Sequence, residues 1–332
     1  MRAPRSTCTP AKDKTRLVRS ILLGPQRFTL RATNALRSLD TTGPVAVINS
    51  GWEEREDEID ELDAALDGRM RGLRLYHRLN DVLSKDENFA SAASRFRDRH
   101  DELTGLYRIR LQHAMEGVYA VQHQVPSHPS RAHQSAAYRA LHDAIAGVRA
   151  IDEWYLAELS RLRDELEVDG GVNTSEVIAW HRSELRALQN DCVAWVLPGG
   201  NIRTLMTTLW LFSVTIPAEK PVVAWSAGAM ALTERIALFH DFGPEGAQEA
   251  ELFDTGLGRV RGMVVFPHAR RRLRMDDLDR LGALATRLEP AECVLLDDGV
   301  LLDIGPDGEL PPSTRSFGGD GLVRTVAEEE AG

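Results

Sequence analysis

A chain of 332 residues is longer than most single domains, so the sequence asks for one large domain with an insertion or for two domains. Lys and Arg number 40 against 50 Asp and Glu, and the net charge of −10 argues against a nucleic-acid partner. No apolar run approaches the roughly 20 residues that cross a bilayer, so no membrane span is expected.

Residues 1–42 read as an N-terminal extension. Basic side chains (Arg2, Arg5, Lys12, Lys14, Arg16, Arg19) crowd its start, and 20–23 is its one candidate strand. Ile21, Leu22 and Leu23 are too few for the apolar core of a secretory signal and run into Gly24 and Pro25. The cysteines Cys8, Cys192 and Cys293 are odd in number and far apart, which is neither a disulfide framework nor a zinc pattern. A reducing cytoplasm is the compartment to expect.

Residues 44–49 are apolar and β-branched, and predict a strand. The acidic stretch 53–65 follows with Ile59, Leu62 and Leu66 at helical spacing. The pattern then changes. From 73 to 168 there is no strand signal and little glycine. Residues 86–122 are charged and helical, and 131–166 carry a stripe of Leu141, Ile145, Val148, Ile151, Tyr155, Leu159, Leu162 and Leu166. Pro126, Ser127, Pro129 and Ser130 break the two. This predicts a long antiparallel helical hairpin inserted at 73–168, between 43–72 and 169–332 of an α/β domain. Its open roles are a lid, a brace or the interface of a homo-oligomer. Its histidines (His77, His100, His113, His123, His128, His133, His142) lack metal-ligand spacing, so no metal site is expected.

Asn173 and Glu176 read as a capping box for a helix to 188. Beyond it, strands at 192–197, 222–225 and 262–268 alternate with helices at 202–212 and 275–288. Residues 293–296 and 300–304 read as a hairpin around Asp297-Asp298-Gly299, and 316–326 as a last strand. The alternation predicts a doubly wound, mostly parallel sheet covered on both faces.

Three features then fall at strand ends, where an open α/β sheet binds its ligands. Ser226 follows an apolar strand and precedes Ala227, Gly228 and a helix-forming run, the pattern of a nucleophile elbow. A serine nucleophile needs a base, and His268 ends the next long strand. Its tetrahedral intermediate needs N–H donors. Ala227 supplies one, and the Gly199-Gly200 turn brings a second close because no side chain intervenes. Asn201, Trp225 and Arg270 flank these groups and are the candidate substrate contacts.

The ordered set Val-Leu-Pro-Gly-Gly-Asn (196–201), Ala-Trp-Ser-Ala-Gly-Ala (224–229), Gly-Leu-Gly (256–258) and Val-Val-Phe-Pro-His (264–268) resembles the serine peptidase family of dipeptidase E and cyanophycinase. The resemblance covers about 43–66 and 173–310. It implies a class I glutamine-amidotransferase-like fold and a small aspartyl peptide or isopeptide as substrate, without metal or cofactor. It also implies Ser226 as nucleophile and His268 as base, with the oxyanion held at Gly200 (or Gly199) and Ala227. For the third, acidic member it offers Asp241, fifteen residues beyond the serine, or Glu289, after the helix that follows the histidine. Ala224 stands where the family has glycine, and Ala269 where it has an aromatic residue. The alternative is a catalytically idle amidotransferase-like scaffold whose helical insert binds a partner. A glutamine amidotransferase proper is disfavoured, because those carry cysteine at the elbow.

Overall fold

The computed structural model describes residues 19–26, 31–126, 135–242 and 248–331. The basic run before Arg19, Cys8, the turn residues Ser127, Pro129 and Ser130, and His128 and His133 lie outside the described residues.

First in the chain come β1 (Ser20–Leu23), α1 (Ala32–Arg37), β2 (Val45–Val47), a 3-10 turn (Ser50–Arg55), α2 (Asp60–Ala65) and β3 (Met70–Gly72). A helical region follows: α3 (Leu75–Lys85), α4 (Glu87–Gln122), α5 (Ala136–Asp169) and α6 (Glu176–Asn190). Next are β4 (Ala194–Leu197), α7 (Ile202–Leu211), β5 (Val222–Trp225), α8 (Ala227–Leu232), β6 (Arg235–Leu238) and β7 (Glu251–Thr255). The chain continues through β8 (Met263–Pro267), α9 (Ala269–Arg272), α10 (Leu278–Leu288) and β9 (Glu292–Leu296). It closes with β10 (Leu301–Ile304), β11 (Arg315–Phe317), β12 (Val323–Thr325) and α11 (Val326–Ala331).

The central sheet has the order β10-β1-β5-β4-β2-β3. All its pairs are parallel except β1 with β10. Successive side chains of a strand face opposite ways, and both faces are filled here. Ile21, Leu23, Val45, Val47, Ala194, Val196, Val223 and Trp225 pack with α1 and α2 residues such as Leu36 and Leu62. Leu22, Ala46, Ile48, Trp195, Leu197, Val222 and Ala224 pack on the other side with α6, α7 and α8. That double burial explains why the strands read as unbroken apolar runs. A second sheet, β12-β11-β9-β8, lies over α10, with Phe266, Cys293, Leu295 and Phe317 against Leu281 and Leu284.

Helices α4 and α5 are antiparallel: Asn88 bonds to the carbonyl of Asp169, Arg99 pairs with Glu165, and Tyr107 stacks on Tyr155 at 4.3 Å. The predicted stripe forms their seam, from Ile145 and Val148 to Leu162. The pair is pinned to the α/β body by a buried cluster. Arg287 of α10 meets Asp152 at 2.6 Å, and the Tyr107 hydroxyl donates to the same carboxylate at 2.7 Å. Leaving either charge alone there would cost about 3–5 kcal/mol.

Several elements differ from expectation. Residues 20–23, expected within an N-terminal extension, form β1 inside the central sheet between β10 and β5. The expected hairpin at 293–304 is two strands of different sheets: β9 pairs with β8 and β11, β10 with β1. The acidic helix expected at 53–65 is confined to Asp60–Ala65, after a 3-10 turn at Ser50–Arg55 in which Glu53 has φ 57° and ψ −124°. Ser175, not Asn173, caps α6. Helix α10 starts at Leu278 because Asp277 caps it. The last expected strand is the antiparallel pair β11 and β12. Helix α3 packs with the α/β body through Asp81 and His181 at 2.9 Å, so the antiparallel pair begins at α4.

Candidate active site

Apolar residues at β5 and small ones at α8 place Ser226 on a sharp corner between them. Its backbone has φ 50° and ψ −124°, a conformation that L residues rarely adopt and that costs on the order of 1–3 kcal/mol. No hydrogen bond of its side chain is formed among the described residues, so the hydroxyl is held by backbone alone.

Gly199 leans directly on this corner. A Cβ at Gly199 would stand 2.7 Å from the Ser226 Cβ and 3.3 Å from its Oγ. Gly200 (φ 117°) lies over the carbonyl of Gly51, which accepts the Asn201 N–H at 2.7 Å. The loop after β2 thus fixes the loop after β4. Asn201 does more of this work. Its Oδ1 caps α7 through Arg203 N and Thr204 N, and its Nδ2 donates to Glu53 at 2.9 Å. Thr204 donates to the same Glu53 oxygen at 2.6 Å. Arg203 donates to His100 Nδ1 at 2.8 Å, tying the helical pair to the start of α7. Burial pushes His100 down to about 4, so its ring is neutral and can accept.

His268 ends β8 in the left-handed region, with φ 59° and ψ 32°. Burial first, then the neighbouring Arg272 guanidinium, hold its imidazole below the usual 6.5, while Asp298 and Asp297 pull the other way. A half-buried, neutral imidazole is what a general base near pH 7 requires. The two parallel strands β8 and β9 are in register, Pro267 with Leu296, so His268 and Asp297 step off neighbouring strand ends together. The link to Ser226 runs through β1. Leu23 pairs with Trp225, and the next residue, Gly24, abuts the Asp297 carbonyl so closely that a Cβ would stand 1.8 Å from it. Ser226, Gly199 and Gly200 therefore lie at the carboxyl edge of the central sheet, while His268 ends a strand of the second sheet whose neighbour Asp297 touches the end of β1. No hydrogen bond joins Ser226 to His268 among the described residues.

The acidic candidates fall elsewhere. Asp241 is buried and its carboxylate is taken up by Arg274 N (2.8 Å) and by Arg280 (3.0 Å). Glu289 precedes β9 and pairs with Arg149 at 3.2 Å. It lies at the amino end of strands whose carboxyl end carries His268, about 17 Å away at roughly 3.3 Å per residue. Trp225 packs in the core beside Ile21 and Val223. The Arg270 side chain is 69% exposed, 3.6 Å from Asp297. One carboxylate that the sequence does not single out, Asp297, stands at the strand end next to that of His268. The signal for it lies in strand pairing, which no local pattern contains.

A cleft of about 520 Å³ opens at the opposite edge, between Glu153, Arg235, Met263 and Glu289. Of the candidate groups only Glu289 lines it; Ser226, His268, Gly199, Gly200 and Asp297 do not. Among the described residues no group of three or more His, Cys, Asp or Glu side chains is arranged to hold a metal, and no helix is long and apolar enough to cross a membrane.

No family model matches the chain, and no curated protein matches it significantly. Among solved structures, a peptidase from an acI-B1 Actinobacterium is similar at a TM-score of 0.38 and 11% identity, over 93% of this chain and 97% of that one.

Proposed function

We propose that this chain is a cytoplasmic serine hydrolase of peptidase type, with the class I glutamine-amidotransferase-like fold of the dipeptidase E and cyanophycinase family. The observation that carries the reading is the strained corner at Ser226 with Gly199 pressed against it. Such strain is retained where it holds a reacting group in place.

Ser226 Oγ attacks the carbonyl of a small peptide or isopeptide, and His268 takes its proton. The oxyanion is held by the N–H groups of Ala227 and Gly200, neither of which has a partner among the described residues. Collapse expels the amine, which receives the proton from His268. Water then attacks the acyl carbonyl, giving a proton to His268, which returns it to Ser226 Oγ as the acid leaves. No metal or cofactor enters these steps. Arg270 is largely exposed, and the Arg272 side chain has no ion pair among the described residues. Both stand beside His268 and favour a substrate bearing a carboxylate, such as an aspartyl peptide.

A panel of dipeptides that includes α- and β-aspartyl members tests this. The expected result is hydrolysis favouring the aspartyl members about tenfold or more, the ratio for one charge-assisted hydrogen bond. Equal rates on neutral and acidic dipeptides would remove the arginines from recognition, and no cleavage anywhere in the panel would count against a peptidase. A second reading, an idle scaffold that binds a partner or a second copy through its helical pair, is favoured by Leu106 and Ile109. They are 50% and 58% exposed, one turn apart on α4.

A further inference from the structure

His268 has no carboxylate hydrogen-bonded to it among the described residues, yet one buried carboxylate beside it has an oxygen without a donor. Asp297 is 8% exposed. Its Oδ1 accepts the Arg270 N–H at 3.0 Å and so caps α9. Its Oδ2 is buried with no hydrogen-bond partner. Arg270 Nε is 3.6 Å from Oδ2, too long for a hydrogen bond, and its side chain is 69% exposed. A buried acceptor left without a donor costs about 1–3 kcal/mol, so an oxygen in that state calls for an explanation.

We propose that Asp297 is the positioning carboxylate of the site, accepting an imidazole N–H of His268 at Oδ2 and turning the other ring nitrogen toward Ser226; this rests on the hydrolase reading. The register of β8 and β9 sets the two residues side by side, and the His268 N–H bonds back to the Leu296 carbonyl at 3.3 Å. The closeness of Gly24 to the Asp297 carbonyl holds this corner against the end of β1, next to β5 and Ser226. The other nearby acid is less suited. Asp298 is paired with Arg271 at 2.9 Å and is 35% exposed. The charged groups facing the imidazole are Arg271 and Arg272 of α9 and Asp297 and Asp298 beyond β9. Helix α8, on the Ser226 side, carries no charged residue. Free enzymes often show such hydrogen bonds loosened, to tighten with substrate.

Asp297 acts through the ring, so its test needs a readout that a helix cap would not move. The full chain is treated with a fluorophosphonate probe from about pH 5 to pH 9, and the modification rate follows the neutral fraction of His268. The wild type is expected to show an acid limb below the usual histidine 6.5 and then a plateau. Asp297→Asn keeps an oxygen for the Arg270 N–H, so the cap survives. Its plateau is expected to fall by on the order of 10³–10⁴-fold. Its acid limb moves to lower pH, because a negative charge that favours the imidazolium is gone. Asp298→Asn lowers the limb as well, but its plateau stays within about threefold, as for the loss of an exposed ion pair. An Asp297→Asn plateau within about tenfold of wild type overturns the proposal while leaving the hydrolase reading intact. A folded wild type that is not modified at all sinks the hydrolase reading, and this proposal with it. Nitrogen-15 spectra of the wild-type imidazoles guard against a variant that fails to fold, with His268→Gln identifying the resonance. One fixed neutral tautomer is expected, and a rapidly exchanging mixture of two contradicts the contact.

Discussion

Ser226→Ala is expected to abolish peptide hydrolysis, lowering the turnover number by about 10⁵–10⁶-fold, while the protein stays folded. The loss is large because one oxygen forms the bond to the substrate, and the groups around it cannot act in its place. The fold should hardly notice. No hydrogen bond of the Ser226 side chain is formed among the described residues, and the corner is maintained by β5, α8 and the Gly199 contact. Stability should therefore change by no more than about 1 kcal/mol. Turnover on the best dipeptide, read together with a denaturant titration, checks both halves. A variant that is stable and still fast would place the nucleophile elsewhere.

Gly199→Ala should also be strongly damaging, though less so, for a steric reason. The added methyl would stand 2.7 Å from the Ser226 Cβ, closer than such contacts allow, and 3.3 Å from Oγ, a tight contact. Ser226 has little room to retreat, because the next turn is locked as well: a Cβ at Gly228 would stand 2.0 Å from the Leu197 carbonyl oxygen. The methyl must displace either the serine or the loop that presents the Gly200 N–H. Losing one oxyanion donor costs on the order of 10²–10³-fold in turnover, and overpacking costs about 1–3 kcal/mol of stability. Steady-state kinetics and a urea titration measure the two. Wild-type turnover in this variant would show that the Gly199-Gly200 loop and Ser226 do not work as one site.

Both expectations draw on residues that were readable before any coordinates. Ser226, Gly199, Gly200 and His268 each close a local pattern: an apolar strand, then a small or polar residue, then a helix. Neighbours along the chain set those patterns, so the sequence carries them. Asp297 belongs to no such pattern. It sits beside His268 only because β8 and β9 pair in parallel register, and register is a tertiary fact. Asp297-Asp298-Gly299 instead reads as a tight turn between two strands. It does turn the chain there, but toward a different sheet, where β10 pairs with β1. Strand β1 was obscured for a related reason. Three apolar residues in a polar stretch look peripheral, yet their strand lies inside the sheet, between β5 and β10. At Glu53, helical spacing of the apolar residues competes with a backbone turn. The turn holds there, with the Glu53 carboxylate anchored to Asn201 and Thr204 beside the glycine loop.

The most direct test is where a fluorophosphonate adduct forms. The folded protein is treated with the probe, digested, and the modified peptide sequenced by mass spectrometry. One adduct on Ser226, lost in His268→Ala, is the predicted result. An adduct on another residue, or none in folded protein, would contradict the assignment of Ser226 as an activated nucleophile.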